Sequence, residues 1–283
     1  MVYEITDTSR FLPLFRGWEE TMIYTCLQGI MGKLYSSELP YSSGLPCAPE
    51  PACSPEPACT PEPLCSTEPP VSAMAVLGDF TFFAGQVSRE LIAFKPEGCT
   101  KDFMIMVGQN KDWQNAIVEY YGPKARVVSR YAFKKEPEAF DRKALEAAAA
   151  SLPPGLSMDL IDEPLYHLCR SRTWSLDLVS QFHDYEEYRR LGLGVVIRKE
   201  GEIVSGASSY SRYRDGIEIE IDTREDHRRQ GLAYICGARL ILECLNRGLY
   251  PSWDAQNPGS AALAGKLGYH FSHTYTAVEI TGY

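Results

Sequence analysis

The sequence predicts a mixed α/β protein whose main sheet carries helices on both faces. The chain has 283 residues and 45% of them are hydrophobic, which is enough for a core in each of two domains. In the second half, three strand patterns separated by turn signals precede alternating helix and strand patterns. With this hydrophobic content, we do not expect a largely disordered chain. No run approaches the roughly 20 apolar residues of a membrane-spanning helix, so we do not expect a membrane protein.

Residues 1–150 are predicted to form a smaller N-terminal α/β domain. The predicted elements, in chain order, are a strand at 32–36, one or two strands within 73–84, a helix around 117–121, a strand at 125–133 and a helix at 139–150. The last helix rests on propensity, since AFDRKALEAAAA is rich in strong helix formers. A Pro-Pro-Gly sequence follows and breaks it, so we place a domain boundary there, with residues 151–283 as the second domain.

A low-complexity segment interrupts the N-terminal domain at about 41–70. A Cys-x-Pro-Glu-Pro-x unit recurs every six residues and places Cys47, Cys53, Cys59 and Cys65 in phase. Its prolines remove backbone donors, which favours polyproline II over a helix or an inner strand. At about 3.1 Å per residue, neighbouring thiols lie roughly 19 Å apart, beyond the ~7 Å reach of a disulfide. We expect an expanded, disordered surface loop, and a metal or redox stripe is the alternative.

The second domain has clearer patterns. Its predicted elements are a strand at 158–161, helical material over 165–190, strands at 194–198, 203–211 and 217–222, a helix at 232–247, a strand at 250–255, a helix at 260–267, and strands near 269 and at 275–280. Cys236 and Cys244 fall on the apolar stripe of the helix at 232–247, so we expect them in the core rather than as nucleophiles.

Charge and cysteine usage narrow the functional class. The net charge of −9 argues against general nucleic-acid binding, which depends on a basic surface. The first residues show no basic start followed by an apolar core, so no signal peptide is expected. The cysteines outside the repeat have no framework spacing, and we expect free thiols in a reducing, cytoplasmic setting.

The segment 222–233, DTREDHRRQGLA, carries the strongest chemical signal. A strand ends, a basic loop follows, and Gly231 opens a helix. A helix start offers unpaired N–H groups and the positive end of the dipole, and glycine lets an anion approach the backbone. Arg228 and Arg229 add positive charge. The pattern predicts a phosphate cradle, although no Walker or dinucleotide-binding motif is present; a solvated arginine pair before an ordinary helix is the alternative.

Two motifs resemble those of the GNAT N-acetyltransferases. The spacing Arg228-x-x-Gly231-x-Ala233 is similar to the acetyl-CoA pyrophosphate signature of that family, R/Q-x-x-G-x-G/A. Downstream, NPGSAALAGKLGY at 257–269 resembles the second family motif, N-x-x-S-x-x-L-Y-x-x-L-G-F. The resemblance covers residues 155–283 and implies a GNAT fold for the second domain. It is typical of a bacterial branch with an extra N-terminal half, which can be a degenerate copy of the same fold.

The resemblance also implies residue roles. The pyrophosphate site would consist of the Arg228 side chain and the backbone amides of Arg229, Gln230, Gly231, Leu232 and Ala233. Main-chain groups of Ile221, Asp222 and Thr223 would pair with the pantetheine arm of acetyl-CoA. Asn257 and Ser260 would face the cofactor from the other side of the cleft. In this family the amine attacks the thioester directly, without an acyl-enzyme.

A base for this reaction is predicted on the strand at 217–222. Its isoleucines point to one face, and Glu218, Glu220 and Asp222 point to the other. Mutual repulsion would raise at least one carboxyl pKa toward neutrality, so Glu220 and Glu218 are the candidate bases; a solvated outer face is the alternative. Ala264 stands where the family often has a tyrosine that protonates the thiolate, which leaves the acid unassigned. Asp254 is either a contact for the acceptor amine or a structural residue.

We therefore expect an acetyl-CoA-dependent N-acetyltransferase acting on a primary amine that the sequence does not identify, with no metal. A non-catalytic CoA-binding or regulatory protein is the alternative. Nucleic-acid and membrane partners are not expected, and a homodimer is left open.

Overall fold

The computed structural model describes residues 1–38, 70–97 and 99–283. The cysteine repeat lies outside these residues, so the expected loop stays a prediction. None of the helices in the described ranges is long and apolar enough to cross a bilayer.

The described residues form two sheets. In chain order the strands are β1 (Tyr3–Ile5), β2 (Lys33–Ser36), β3 (Ser72–Leu77), β4 (Phe80–Gly85), β5 (Phe103–Gly108), β6 (Ala125–Phe133), β7 (Leu156–Leu160), β8 (Gly194–Lys199), β9 (Glu202–Tyr213), β10 (Gly216–Thr223), β11 (Tyr250–Ser252), β12 (Asp254–Ala255) and β13 (Phe271–Thr281). The first sheet has the order β1-β2-β3-β4-β5-β13-β6-β12, and the second has the order β11-β10-β9-β8-β7. With the helices between them, these sheets confirm the mixed α/β prediction.

The α-helices are short, and most begin at a side-chain cap. They are α1 (Thr21–Leu27), α2 (Arg89–Ala93), α3 (Lys111–Tyr121), α4 (Arg142–Ala150), α5 (Glu163–Arg170), α6 (Tyr185–Leu191), α7 (Leu232–Asn246) and α8 (Pro258–Leu267). A serine, asparagine or aspartate oxygen accepts a first-turn amide at the start of six of them: Ser88, Asn110, Asp141, Asp162, Asp184 and Asn257. Helix α7 differs, because it follows Gly231 and has no side-chain cap.

The helical material predicted over 165–190 is present at both ends of that range but is interrupted in the middle. Helix α5 ends at Arg170 and α6 begins only at Tyr185, with a single 3₁₀ turn at Leu176–Leu178 between them. Asp184 starts α6 by accepting a hydrogen bond from the Glu187 amide, which defines a new helix rather than a continuation. Leu178 and Phe182 of the intervening segment are nevertheless buried, and the half-buried Trp174 packs against the same core, so their spacing indicated a core and not a helix.

The single strand predicted at 250–255 is divided between the two sheets. Strand β11 pairs in parallel with β10, whereas β12 pairs antiparallel with β6 of the first sheet. The two strands predicted near 269 and at 275–280 form one strand, β13, which also belongs to the first sheet. The boundary proposed at 150/151 stays a prediction, and strand pairing crosses it.

The two halves of the chain also share a core. Ile23 and Phe82 from the first half belong to the same buried cluster as Tyr166 and Val196 from the second. The two halves are therefore packed against each other through this common cluster.

Candidate functional site

A gap opens in the second sheet beside β10. Strands β10 and β11 pair only from Gly216 opposite Tyr250 to Glu218 opposite Ser252. Beyond that point β10 continues along β9 to Thr223, while the chain after β11 turns away toward the first sheet. The outer edge of β10 after Glu218 thus has backbone groups without a strand partner in the described structure, and a ligand chain can pair with them.

The open end of this gap leads into a groove of about 720 Å³ between the start of α7 and one side of α8, which we call the α7–α8 groove. Six of the residues assigned to cofactor binding line it: Thr223, Arg228, Arg229, Gly231, Leu232 and Ala233. Ile221, Asp222 and Gln230 are not among its lining residues. The structure thus brings most of the predicted anion loop to one concave surface.

The start of α7 is arranged to receive an anion. Gly231 has a φ of +80°, and a Cβ built there would meet no atom within 4 Å. The first-turn amides of α7 have no carbonyl partner within the helix, and no side chain caps them. Arg228 and Arg229 flank this end, and the Arg228 Nε donates to the Thr223 carbonyl at 3.2 Å. Open space, unpaired donors and positive charge therefore coincide.

Sequence reasoning missed two basic residues of the groove, among others. His227 is 8% exposed, lines the groove and has a buried Nδ1 without a hydrogen-bond partner. Lys266 comes from the last turn of α8 and adds a cation to the opposite wall. His227 stands directly before the arginine pair, so its position was the available signal; Lys266 required the packing of α8 against α7.

Asn257 and Ser260 do not line the groove. The Asn257 Oδ1 accepts the Ser260 amide at 2.9 Å and caps α8, and the Ser260 Oγ accepts from the Trp253 indole at 3.2 Å. Their contact with a cofactor stays a prediction. In the structure, their hydrogen bonds fix the start of α8.

The closed end of the gap holds Glu218. Its side chain is 5% exposed and lines a cavity of about 30 Å³, called here the Glu218 cavity, together with Glu20, Thr21 and Asp254. Thr21 donates its hydroxyl hydrogen to the Glu218 Oε2, while the Oε1 is buried without a partner. Burial and then the charge of Asp254 raise the pKa of Glu218 to about 7. The cavity is large enough for a water or an ammonium head.

Glu220 has a different setting two residues away. It is half-buried and does not line the Glu218 cavity. Burial raises its pKa to about 8, with Asp177 and Asp222 adding to the effect. The pKa of Asp222 is also raised by burial. The predicted upward shift of carboxyl pKa values is confirmed, but its leading cause is burial rather than repulsion along the strand.

Asp254 is held in a buried network. The Arg130 Nε donates to its Oδ1 at 2.6 Å, and the Tyr275 hydroxyl donates to its Oδ2 at 2.7 Å. Both carboxylate oxygens are thus occupied, which supports the structural interpretation of Asp254. The network joins β6 and β13 of the first sheet to the edge of the gap.

Neither of the next two tyrosines after Ala264 in the sequence, Tyr269 and Tyr275, takes the place of the missing one. Ala264 is fully buried in the core between α7 and α8. The Tyr269 hydroxyl donates to the Pro251 carbonyl at 2.6 Å, and the Tyr275 hydroxyl is bound to Asp254. The acid that would protonate a leaving thiolate remains unassigned.

The two cysteines of α7 lie in the core. Cys236 and Cys244 are buried, and burial raises the pKa of each to about 12, which confirms the core prediction. Over residues 1–38, 70–97 and 99–283, no three His, Cys, Asp or Glu side chains are grouped as metal ligands would be.

Comparison with known proteins gives the following matches. The model of the GNAT acetyltransferase family matches residues 65–278. The uncharacterized N-acetyltransferase YdfB of Bacillus subtilis is 29% identical over 167 residues, which make up 58% of this chain and 61% of that protein. The chain therefore matches about three fifths of the length of this curated relative.

Solved structures agree with the family match. A crystal structure of a GCN5-related N-acetyltransferase-like protein from Streptococcus suis is 43% identical, with a TM-score of 0.81 over 97% of this chain and 98% of that chain. A Drosophila protein structure is 10% identical, with a TM-score of 0.58 over 99% of this chain and 98% of that chain. At that identity the second likeness shows the fold alone.

Proposed function

The chain belongs to the GNAT acetyltransferase family, and on that premise we propose that it moves an acetyl group from acetyl-CoA to a primary amine. The observation that carries the proposal is the gap beside β10. It has an uncapped helix start with two arginines at one end and a buried carboxylate oxygen without a partner at the other. A phosphate-bearing donor and an amine acceptor need these opposite features.

The α7–α8 groove fits the phosphate end of acetyl-CoA. The amides at the start of α7 would bind the pyrophosphate, with Arg228, Arg229 and Lys266 supplying charge. The free edge of β10 after Glu218 would pair with the amide groups of the pantetheine arm, as a strand would. Bound in this way, acetyl-CoA supplies a thioester carbonyl beside the closed end of the gap.

The base in this proposal is Glu218, with Glu220 as the second candidate. Of these two, only Glu218 lines the cavity that can admit an ammonium group, and its Oε1 is buried without a hydrogen-bond partner. A pKa of about 7 keeps a large share of it ionised at neutral pH, which suits a general base. Thr21 holds the other oxygen, so the free one keeps a defined direction.

The proposed reaction balances as follows. The acceptor ammonium gives a proton to the Glu218 Oε1, and its nitrogen lone pair then attacks the thioester carbon. A C–N bond forms, the C–S bond breaks, and the thiolate leaves with the bonding electrons. A second amine proton is released to solvent, and the donor that protonates the thiolate has no assignment among the described residues.

One observation favours a second function. Ala264 cannot donate a proton, and the two neighbouring tyrosine hydroxyls are already bound. A non-catalytic protein that binds CoA for a regulatory purpose fits this feature.

A screen of primary amines for thiol release from acetyl-CoA separates the two functions. We expect at least one amine to give release above the hydrolysis background, with loss of that release in the Glu218→Gln variant. CoA binding by calorimetry without turnover of any amine would support the regulatory protein instead.

We also propose a cytoplasmic location, because the described cysteines are free thiols, as is usual in a reducing compartment. We include no nucleic-acid or membrane partner, and a homodimer stays an expectation to be tested by sedimentation.

A further inference from the structure

A second, larger cavity lies next to the Glu218 cavity. It has a volume of about 530 Å³ and is lined mainly by residues of the first half; we call it the Trp18 cavity. Glu19 and Glu20 line both cavities, so the two share a wall. Its volume is in the range that holds small-molecule ligands. The roles proposed above for the cofactor and the base make no use of it.

The lining of the Trp18 cavity has two kinds of charge. Glu19 and Glu20 lie on the side shared with the Glu218 cavity, while Arg16 and Lys111 also line the cavity. Neither Arg16 nor Lys111 forms a salt bridge within the described ranges. The cavity therefore offers carboxylates toward the gap and unneutralised cations elsewhere.

Each cavity is also lined by a residue with one buried polar atom that lacks a hydrogen-bond partner. The Glu218 Oε1 is an acceptor without a donor, on a side chain that is 5% exposed and lines its cavity. The Trp18 Nε1 is a buried donor without an acceptor, on a side chain that lines the Trp18 cavity. Buried polar atoms in native proteins are almost always satisfied, so each orphan points to a missing partner of opposite character.

We propose that these two cavities form the acceptor site and select a primary amine that also carries an anionic group, a carboxylate or a phosphate. The proposal rests on the acetyltransferase function proposed above. The ammonium would lie at the Glu218 Oε1, the body would occupy the Trp18 cavity, and the anionic group would meet Arg16, Lys111 and the Trp18 N–H. Amino acids and phosphorylated amino sugars share this chemistry.

The first half of the chain thereby gains a role. It supplies Thr21, which orients the base, and most of the wall of the Trp18 cavity. The second half alone contains the α7–α8 groove but lacks a closed site for the acceptor.

Matched pairs of amines test the selection. L-serine is compared with ethanolamine, and glucosamine 6-phosphate with glucosamine, so that each pair differs by one anionic group. We expect kcat/KM to be about tenfold or more higher for the anion-bearing member of at least one pair, and the pair concerned distinguishes carboxylate from phosphate.

Substitutions in the Trp18 cavity test whether its residues cause that preference. The Arg16→Gln and Lys111→Gln changes should each lower kcat/KM about tenfold for the anion-bearing amine and leave the other member unchanged. Trp18→Phe keeps an aromatic ring but removes the N–H, and should raise KM for the anion-bearing amine several-fold. Lys143→Gln, an exposed change on α4, is the matched control and should alter nothing.

Binding of the same amines to the CoA-saturated protein is measured by calorimetry in parallel. Turnover without preference for the anionic member, or a preference that survives both charge changes, overturns this inference and leaves the acetyltransferase function standing. If the protein binds the anion-bearing amine preferentially but does not acetylate it, the selection stands and the acetyltransferase function is overturned. Absence of both binding and preference overturns the inference directly.

Discussion

The α7–α8 groove and the Glu218 cavity lie at the two ends of β10 but are built differently. The groove is made by three parts of the second half: the end of β10 with the loop that follows it, the start of α7, and one side of α8. The Glu218 cavity collects residues from five separate parts of the chain, at 19–22, 132–135, 218, 250–254 and 269. One is open and basic, and the other is small and contains buried carboxylates.

This difference explains why the two ends call for different experiments. Binding at the groove depends on local backbone geometry, so a single added methyl group should disturb it. Chemistry at the Glu218 cavity depends on burial and on partners far away in sequence, so changes in distant residues should alter its titration.

Replacing each strand carboxylate separately gives the largest contrast. Glu218→Gln keeps the shape but cannot take a proton, and turnover should fall by about 10²–10⁴-fold with the KM for acetyl-CoA little changed. Glu220→Gln should cost less than about tenfold, because Glu220 does not line the Glu218 cavity. Steady-state rates with an accepted amine provide the measurement. The opposite ranking would move the base to Glu220.

The closed end also depends on the buried ion pair beside it. Arg130→Met leaves the Asp254 carboxylate buried without its cation and should lower the free energy of unfolding by about 3–5 kcal/mol. Arg126→Met is the control on the same strand, since the Arg126 side chain is 76% exposed and its pair with Glu279 should contribute under about 1 kcal/mol. Urea unfolding compares the two. Similar losses of unfolding free energy in the two variants would mean that the buried Arg130–Asp254 pair stabilises the protein no more than the exposed Arg126–Glu279 pair does.

Two glycines separate backbone strain from cofactor contact. Gly231 and Gly248 both have left-handed backbone, with φ of +80° and +67°, and a Cβ at either meets no atom within 4 Å. Substitution by alanine at either position should therefore lower the free energy of unfolding by about 1 kcal/mol. Only Gly231→Ala should also weaken CoA binding, by about tenfold or ~1.4 kcal/mol, as measured by calorimetry. Equal CoA affinities in the two variants would remove the groove from the proposal.

The pH dependence of turnover reports on Thr21. Its hydroxyl stabilises the charged form of Glu218, so Thr21→Val should raise the pKa of that carboxyl above about 7. The rise of kcat/KM with pH would then occur at higher pH, with several-fold lower activity at pH 7 and recovery near pH 9. Thr25→Val is the control, because Thr25 donates to the Arg212 carbonyl instead. An unshifted profile in Thr21→Val would contradict the role of Glu218.

The smallest effect is expected from the cysteine repeat. The described ends next to it are already held together, since the Val71 amide donates to the Glu38 carboxylate at 2.8 Å and β2 pairs with β3. Replacing residues 39–69 by a short Gly-Ser turn should leave Tm and CoA affinity unchanged within error, because a proline-rich loop buries little surface. A drop of several degrees by calorimetry would show that the segment packs or binds a ligand.

Much of the site could be predicted because its causes are local. A glycine before an apolar stripe, with basic residues ahead of it, specifies an uncapped and positively charged helix start whatever surrounds it. The strands at 125–133 and 194–198 were likewise visible in their own patterns, and the structure confirms them as β6 and β8. The helical prediction over 165–190 holds only at its two ends, because burial rather than helix formation produced the apolar spacing between them.

The basic loop before α7, the mixed α/β class and the face of β10 that carries the carboxylates could all be predicted from sequence patterns. Which carboxylate is buried, which of its oxygens lacks a partner, and how both oxygens of Asp254 are bound depend on the packing of distant segments. Thr21 lies 197 residues from Glu218, and Arg130 lies 124 residues from Asp254. A pKa depends on the water removed and the charges brought near, and those are set by chain segments whose approach no local pattern records.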